Sequence, residues 1–549
     1  MKTVVAGALG ECVHVAGVMN FLHLAELAGW RTVFLGPAVP IEEFLQAVRD
    51  EKADLVGVSY RLTPETGERL LGNFAEAADE LHRQGVRFVF GGTPPVSRGA
   101  AKLPGFFERI FDGSQPPEEV LAYLKGEAAD VQDPANYPQT AIARIQQKAP
   151  YPILRHHFGL PTMDASLSGI QQIAEARALD VISLGIDQDA QENFYHPERQ
   201  DPRAKGAGGV PVRSAEDYHA LYEASRCGNY PLMRTYSGTD DFLRLAEMYL
   251  ETIHNAWCAI PLFWFNQLDG RGPIGLEESI QAHQQVMAWY GIRGVPVELN
   301  EPHHWGMREA PDVIFVTSAY LSAYNAKAFG VKDYIAQMMF NSPPGHSDAM
   351  DLGKMLAILE LIEPLQDEDF HIWRQTRTGL LSYPLEPNAA RAHLSASIYL
   401  QMALKPHIVH IVGHTEADHA ATAQDVIDAS LMARQAINNA IKGQPDMLKD
   451  PAVQSRKNHL IAEVQITLEA IRNLAESADD AAQSGSSDPL TNPACLGQAL
   501  RQGILDAPHL KNSKIARGTI RTHIFNGACE ALDQNNQPIR EAQRLAEFL

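Results

Sequence analysis

The sequence contains little cysteine for its length. Its five cysteines, Cys12, Cys227, Cys258, Cys495 and Cys529, are an odd number, lie far apart in a chain of 549 residues and form no CxxC pair. A disulfide framework or a cysteine metal site would need closer spacing. We therefore predict reduced thiols and a cytoplasmic protein.

Positive charge and long apolar runs are also scarce. The chain has 46 Lys and Arg against 67 Asp and Glu, a formal net charge of −21, which repels phosphate backbones and anionic lipid surfaces. No apolar run approaches the length of a membrane span, and glycine interrupts the N-terminal MKTVVAGALG too early for a signal peptide. We expect a soluble protein that binds neither nucleic acid nor membranes.

Several familiar catalytic motifs are missing. The sequence has no HExxH pair, nucleophile elbow or Walker loop. The polar clusters EPHHWG (301–306) and EADH (416–419) lack metal-ligand spacing, so we interpret His303 and His304 only as potential substrate contacts.

Apolar runs alternate with helical patterns in the first part of the chain. TVVAGAL, TVFLG, ADLVGVSY, RFVFGG and RIFDG read as strands, and amphipathic segments lie between them. This alternation predicts a doubly wound, flavodoxin-like parallel sheet over residues 1–126. Residues 127–150 are rich in Ala, Asp, Gln and Pro and indicate a linker or helical connector.

A second alternating series predicts a (β/α)₈ barrel over residues 151–442. Its eight candidate strands are YPILRHHFG, DVISLGID, YPLMRTYSG, AIPLFWFNQ, VPVELNE, VIFVTSAY, YIAQMMF and HIVHIVGH. Barrel active sites form at the carboxyl ends of the strands. The polar residues after these runs, our first candidates, are Arg155, Asp187, Arg234, Asn266, Asn300, Asn341 and His414. Residues 443–549 are polar and helical in pattern, and we expect them to extend the barrel domain.

The loop after the first strand carries the clearest local motif. In GALGECVHVAG, His14 and Gly17 have the spacing of the last two positions of DxHxxG; Ser59 opens SYRL, and Gly91 and Gly92 follow RFVF. These residues resemble the B12-binding fingerprint, in which the His ligates cobalt. Cys12 stands where that family has the Asp that orients the His.

This resemblance implies a cobalamin site around the loop. A neutral imidazole is a good ligand for a transition metal, and glycine lets a corrin nucleotide tail approach the backbone closely. His14 is the expected metal ligand. The expected cofactor contacts are Cys12, Val13, His14, Val15, Gly17, Ser59, Leu62, Gly91, Gly92, Gly113 and Ser114.

The remainder of the chain resembles the catalytic subunit of glutamate mutase (methylaspartate mutase), joined here behind its cobalamin-binding partner. The segments that carry the resemblance are ILRHHFGLP, GIDQDAQENFY, GVPV, YPLMRTYSGTDDFLRL, GVKDYIAQMMFNSPPG and GQALRQGILDAPHLKNSKIARG. The resemblance implies adenosylcobalamin as cofactor, a radical carbon-skeleton rearrangement of a small acid in the barrel, and a homodimer.

The substrate residues implied by the resemblance are only partly present. In glutamate mutases three arginines hold the substrate carboxylates; two match Arg155 and Arg234, but Gln191 takes the third position. Asp187 and Asp269 are further candidates. Arg271 can supply replacement charge, or Asp269 can equally hold it in a structural ion pair.

The amino-group site of the family is also altered. Its Glu and two Tyr fall on Ala259, Phe265 and Asp269, while Glu416 follows the last candidate strand, where the mutases hold the adenosyl group. We therefore expect glutamate to be a poor substrate and another acid, for example one with a single carboxylate, to be preferred. A methylcobalamin-dependent methyltransferase and a non-catalytic corrinoid-binding or light-sensing protein remain alternatives.

Overall fold

The computed structural model describes residues 2–113, 115, 117–126, 137–476 and 488–549. The chain divides into two compact units, Met1–Asn136 and Tyr137–Leu549. Among the helices within these ranges, none combines the length and the apolarity that a membrane crossing requires.

The first unit contains a five-stranded parallel sheet with the order β2-β1-β3-β4-β5, which is the flavodoxin-like order. Its strands are β1 (Thr3–Ala8), β2 (Arg31–Phe34), β3 (Leu55–Tyr60), β4 (Arg87–Gly92) and β5 (Arg109–Phe111). Its helices are α1 (Ala16–Leu27), α2 (Ile41–Asp50), α3 (Pro64–Arg83), α4 (Pro94–Ala100) and α5 (Pro117–Lys125).

The apolar pattern of this unit follows from its layers. All six residues of β1 are buried, because helices cover both faces of a doubly wound sheet. The predicted α/β fold is confirmed, although α4 was not predicted. Its sequence PPVSRGA has low helix propensity, and its two prolines are compatible only with the first turn, where they lie.

The second unit contains eight parallel strands in a nearly closed barrel, with the sheet order β8-β7-β6-β13-β12-β11-β10-β9. The strands are β6 (Ile153–Phe158), β7 (Val181–Leu184), β8 (Leu232–Arg234), β9 (Cys258–Ile260), β10 (Val297–Leu299), β11 (Asp333–Phe340), β12 (His371–Thr378) and β13 (Ile408–Ile411). Between β8 and β9, the Ala256 amide donates to the Met233 carbonyl at 2.8 Å. The predicted barrel is thereby confirmed.

Helices alternate with these strands and surround them. They are α6 (Ala141–Lys148), α7 (Met163–Glu175), α8 (Gln188–Glu192), α9 (Ala215–Ala224), α10 (Phe242–Thr252), α11 (Leu276–Ile292), α12 (Glu301–Gly306), α13 (Asp312–Ala328), α14 (Asp348–Ile362), α15 (Pro387–Gln401) and α16 (Ala423–Ile441).

The predicted strand VIFVTSAY (313–320) is wrong, because these residues form the N-terminal half of α13. This helix is buried almost all round, and a continuous apolar run does not distinguish a buried strand from a buried helix. The strand that completes the set of eight is β12, which was missed because its sequence HIWRQTRT is polar.

The C-terminal extension contains the helices α17 (Pro451–Glu476), α18 (Pro493–Arg501) and α19 (Glu541–Arg544). It also contains an unpredicted antiparallel hairpin, β14 (Thr522–Phe525) with β15 (Ala528–Ala531). The long helix α17 packs against α13 and α14, so the extension covers one side of the barrel.

The predicted linker is only partly within the described residues, since 127–136 lie outside them. Residues 137–150 belong to the second unit and include α6. The buried Arg144 side chain of α6 donates to the carbonyls of Pro138, Asn229 and Tyr230. These bonds fix the helix to the loop before β8.

Candidate functional site

The loop between β1 and α1 exposes His14 at the carboxyl edge of the first sheet. The His14 side chain is exposed, whereas the Cys12 side chain beside it is buried in the core of the unit. Cys12 Sγ lies 4.0 Å from His14 Nδ1, so the thiol touches the ring nitrogen that the fingerprint Asp would bind. His14 Nε2 points away from this contact and is available to a metal.

Exposed apolar side chains lie near this histidine in the chain. Val13 is 62 % exposed and Met19 is 48 % exposed, on the loop after β1 and the first turns of α1. Leu62, on the loop after β3, is 39 % exposed. Large apolar side chains in solvent on two neighbouring loops form a surface suited to a broad, flat apolar ligand.

Glycines leave open space at the same edge of the sheet. A Cβ added at Gly17 or Gly91 would meet nothing within 4 Å. At Gly92 it would lie 2.7 Å from the Phe90 ring and 2.8 Å from the Tyr60 carbonyl oxygen. Gly91 therefore borders an empty space, while Gly92 is required by packing.

Two more of the predicted cofactor residues, Ser59 and Gly113, lie at the same edge. Ser59 pairs with Gly91 in the β3–β4 register, and Gly113 follows β5 with a φ of +91°. Ser114 lies outside the described residues. The structure thus brings loops after β1, β3, β4 and β5 to one edge, where ligands of doubly wound sheets bind.

The second unit has a cavity of about 190 Å³ at the carboxyl ends of its strands. Side chains from β6, β8, β10, β11 and β12 and from the segments after β7, β8, β9 and β10 line it. They include Arg155, Gln191, Arg234, Tyr236, Glu298 and Arg377. The volume is below the ~300–1,000 Å³ of drug-sized sites, so the cavity suits a small ligand.

Glu298 is the buried carboxylate of this cavity. Its Oε2 accepts from Arg155 Nη1 at 2.6 Å and from Trp257 Nε1 at 2.7 Å, and its Oε1 accepts from Gln337 Nε2 at 3.0 Å. Burial alone would raise the pKa of Glu298, but Arg155 and Arg234 outweigh it and hold the pKa below its usual range. Glu298 is therefore ionised and already has its cationic partner.

Two further buried arginines have no such partner among the described residues. Arg234 donates through Nε to Ser183 Oγ at 2.9 Å, and its Nη1 has no hydrogen-bond partner. Arg377 makes a 3.4 Å contact from Nε to the Thr378 carbonyl. Burial lowers the pKa of Arg155 to about 9, and it also lowers that of Arg377. Arginine stays protonated at neutral pH, so the guanidinium groups that line the cavity outnumber the carboxylate of Glu298 and give the cavity a net positive charge.

Four histidines around this cavity are neutral. Burial first, and then the nearby arginines, place the pKa values of His157, His303, His304 and His410 well below the ordinary value. His157 Nε2 lies 3.3 Å from Arg155 Nη2 and 3.1 Å from the Tyr236 hydroxyl. Because an arginine can only donate, Nε2 accepts and the Tyr236 hydroxyl also donates to it.

Three buried polar groups face the cavity without a partner in the described structure. Both ring nitrogens of His304 lack a hydrogen bond, as do Asn300 Oδ1 and Gln337 Oε1. The orientation of Gln337 is fixed, since its Nε2 must donate to the Glu298 carboxylate. Unsatisfied buried groups are costly, so they indicate a polar ligand.

The predicted catalytic residues divide into two sets. Arg155, Arg234 and Gln191 line the cavity, whereas Asp187 and Asp269 are not among its lining residues. Asp187 caps α8 by accepting from the Ala190 amide, and it binds Arg213 through both carboxylate oxygens at 2.8 and 2.7 Å. Both carboxylate oxygens of Asp187 are therefore engaged in contacts that stabilise the local structure.

Asp269 is engaged by two arginines. Its Oδ2 lies 3.6 Å from Arg271 Nε and 3.4 Å from Arg308 Nη2, and its Oδ1 accepts from the Asn266 amide. Arg271 itself also lines the cavity. Arg271 thus pairs with Asp269 and also lines the cavity.

A second cavity of about 380 Å³ contains Glu416. Its lining includes backbone at Gly159, Gly185 and Gly413, where β6, β7 and β13 end. Burial raises the pKa of Glu416, and Arg377 opposes this shift. Glu416 thus lines a cavity bordered by glycines at the carboxyl ends of three strands.

The sequence reasoning missed Arg377 and Glu298. Arg377 lies on the unrecognised strand β12, and Glu298 lies inside the run VPVELNE, where it interrupts an apolar pattern. The available signal was period two: Gln375 and Arg377 alternate along β12, and both contact or line the barrel interior.

The class of the first unit is given by a family model. Residues 2–121 match the B12 binding domain. The N-terminal unit is therefore a B12-binding domain, and its exposed His14, apolar surface and open glycine positions fit a corrinoid.

Particular relatives match the same part of the chain. The glutamate mutase sigma subunit of Clostridium tetanomorphum is 29 % identical over 131 residues, which are 23 % of this chain and 93 % of that protein. Glutamate mutase sigma subunit 1 of Haloarcula marismortui is 28 % identical over 127 residues, 23 % of this chain and 84 % of that protein.

A solved cobalamin-binding protein from Desulfitobacterium hafniense DCB-2 is 18 % identical, with a TM-score of 0.20. The match covers 23 % of this chain and spans 56 % of the length of that protein chain. The sigma-subunit matches support a B12-dependent function in general terms.

Proposed function

We propose that the protein is an adenosylcobalamin-dependent isomerase that rearranges the carbon skeleton of a small carboxylic acid other than glutamate. The observation that carries this proposal is a buried, arginine-lined cavity at the carboxyl ends of a parallel barrel, on the same chain as a B12-binding domain. The two units would each supply one requirement of such an enzyme, the cofactor and the acid.

The first unit would hold the cofactor. His14 Nε2 would ligate cobalt, the apolar side chains of Val13, Met19 and Leu62 would contact the corrin, and the nucleotide tail would lie beside Gly91. When bound, adenosylcobalamin supplies a carbon-centred radical able to remove a hydrogen atom from an unactivated carbon.

The second unit would hold and orient the acid. Arg155 and Arg234 lie next to each other, and their guanidinium groups can bind one carboxylate by charge-assisted hydrogen bonds. The surrounding side chains are buried, which excludes water from the acid and fixes its carbon atoms relative to the barrel. Radical rearrangement needs no titrating base, and the histidines here are neutral.

The amino-group contact of the glutamate enzyme is not reproduced. Ala259 is a buried strand residue, Phe265 presents an apolar ring to the cavity, and Asp269 is occupied by two arginines. We therefore expect conversion of glutamate to methylaspartate to be slow or absent.

The test is reconstitution of the full chain with adenosylcobalamin, followed by its ultraviolet–visible spectrum with and without candidate acids. We expect a spectral change and 5′-deoxyadenosine with the correct acid. His14→Ala should lower cofactor affinity and alter the bound spectrum, whereas His371→Ala, an exposed residue at the start of β12, should not. A methylated product would instead establish a methyltransferase. Tight binding of the cofactor without turnover of any acid would establish a corrinoid-binding protein.

A further inference from the structure

The charges of the barrel cavity specify more than the presence of an acid. Arg155, Arg234 and Arg377 are each about 1–4 % exposed, and Glu298 is the buried carboxylate among them. One of the three cations is thus neutralised within the protein, and two remain. Arg271 contributes further, because it shares the single carboxylate of Asp269 with Arg308.

We propose that the ligand of this cavity is a small dicarboxylate that carries no ammonium group. The inference rests on the proposed role of the cavity as the acid site of the isomerase. One carboxylate would bind at Arg155 and Arg234, and the second at Arg377, which lines the same cavity as Gln191.

The buried arginines argue for two acid groups rather than one. Taking an unpaired guanidinium out of water is costly unless an anion accompanies it. A single carboxylate would leave either Arg234 or Arg377 without an ion pair, since neither forms one within the described residues. A dicarboxylate satisfies both, and the small cavity volume restricts its length.

The absence of an ammonium group follows from Glu298. In a cavity of net positive charge, an ammonium needs its own carboxylate. Glu298 already accepts from Arg155, Trp257 and Gln337. The unpartnered acceptors Gln337 Oε1 and Asn300 Oδ1 can bind a neutral donor such as a hydroxyl.

Isothermal titration of the cobalamin-free full chain tests this inference without relying on turnover. The probes are succinate, glutarate and adipate as diacids, pentanoate as the monoacid that matches glutarate, and the pair 2-hydroxyglutarate and glutamate. We expect at least one of the three diacids to bind about tenfold or more tightly than pentanoate. We expect 2-hydroxyglutarate to bind about tenfold or more tightly than glutamate.

Arg377→Gln should remove most of the preference for the diacid. Its affinity for the diacid that binds the wild type most tightly should fall about tenfold or more, while its affinity for pentanoate changes little. The matched control is Arg374→Gln on the same strand, since Arg374 pairs with Glu363 away from the cavity. Circular dichroism of both variants checks folding, and Arg377→Lys, which keeps the charge, should retain part of the preference.

The inference would be overturned if none of the three diacids bound more tightly than pentanoate, or if glutamate bound more tightly than 2-hydroxyglutarate. These outcomes are independent of the proposed function, which fails instead if the chain does not take up adenosylcobalamin or no acid changes its spectrum.

Discussion

Two adjacent glycines at the cofactor edge have opposite constraints. Gly91 borders open space, whereas Gly92 is enclosed by the Phe90 ring and the Tyr60 carbonyl. We therefore predict that Gly91→Val folds with near-normal stability but binds adenosylcobalamin much more weakly, because its side chain occupies the space proposed for the nucleotide tail.

Gly92→Ala should show the reverse pattern. Its Cβ would lie 2.7 Å from a buried ring and 2.8 Å from backbone oxygen, which costs about 1–3 kcal/mol of stability. Thermal unfolding and cofactor titration of both variants separate the two effects. If Gly91→Val bound adenosylcobalamin as tightly as the wild type, the proposed position of the nucleotide tail beside Gly91 would be wrong.

The two arginines predicted to hold the substrate carboxylate, Arg155 and Arg234, also differ in their contribution to stability. Arg155→Gln leaves Glu298 buried without its ion pair, and we predict a loss of about 3–5 kcal/mol in the free energy of unfolding. Arg234→Gln breaks no ion pair within the described residues, so it should weaken acid binding with a much smaller loss of stability. Urea denaturation measures the difference, and equal losses would contradict it.

At the scale of elements, the barrel pattern could be predicted but one strand could not. Seven of the eight runs became strands because buried parallel strands are apolar on both sides. Strand β12 carries Gln375 and Arg377 on the face that meets Arg155 and the cavity. The polarity of β12 is a consequence of the site. The apolar sequence of helix α13 resembled a buried strand more closely than the sequence of β12 did.

The same reasoning explains which site residues were found. Arg155, Arg234 and Gln191 were identified through resemblance of short segments, and all three line the cavity. Arg377 has no counterpart in that pattern. Only the strand register, which places Arg377 beside His410 and His410 beside Arg155, brings it to the site.

A buried charge cluster joins the C-terminal extension to the barrel helices. Asp312 at the start of α13 contacts His346 Nε2 at 2.8 Å, Arg456 Nη2 of α17 at 2.7 Å and Lys354 Nζ of α14 at 3.3 Å. Asp351 also pairs with Lys354, and Glu530 of β15 pairs with Arg456. Both ring nitrogens of His346 face acceptors, since Nδ1 lies 2.6 Å from the Pro343 carbonyl.

This geometry predicts a pH dependence of stability. Burial alone would lower the pKa of His346, but Asp312 and Asp351 outweigh burial and Lys354 and raise it above 6.5. The stabilisation is therefore complete below the unfolded-state pKa and is lost as pH rises through the higher pKa of the folded state. We expect His346→Gln to destabilise the protein most at about pH 6 and less at about pH 9.

The measurement is the free energy of unfolding of wild type and variant across this range. His371→Gln, at an exposed position, is the control. A difference between wild type and His346→Gln that grows as pH rises would show that the histidine is neutral in the folded protein.

At the scale of the whole molecule, each unit has its own hydrophobic core. Val56, Phe74 and Phe88 belong to the core of the first unit, and the largest core, which includes Trp264 and Trp305, belongs to the second. The B12 binding domain match spans nearly the whole described part of the first unit. The chain therefore combines two modules, each large enough to fold around one core.

We predict from this division that residues 1–136 fold alone and bind adenosylcobalamin. The sheet, its helices and every predicted cofactor residue except Glu416 belong to this unit. The fragment should unfold in one cooperative transition, and His14→Ala should lower its cofactor affinity without moving that transition, because the His14 side chain is exposed. Circular dichroism and absorbance titration test both statements. A fragment that is folded but takes up no adenosylcobalamin would mean that cofactor binding requires residues of the barrel unit, and the assignment of separate binding roles to the two units would then be wrong.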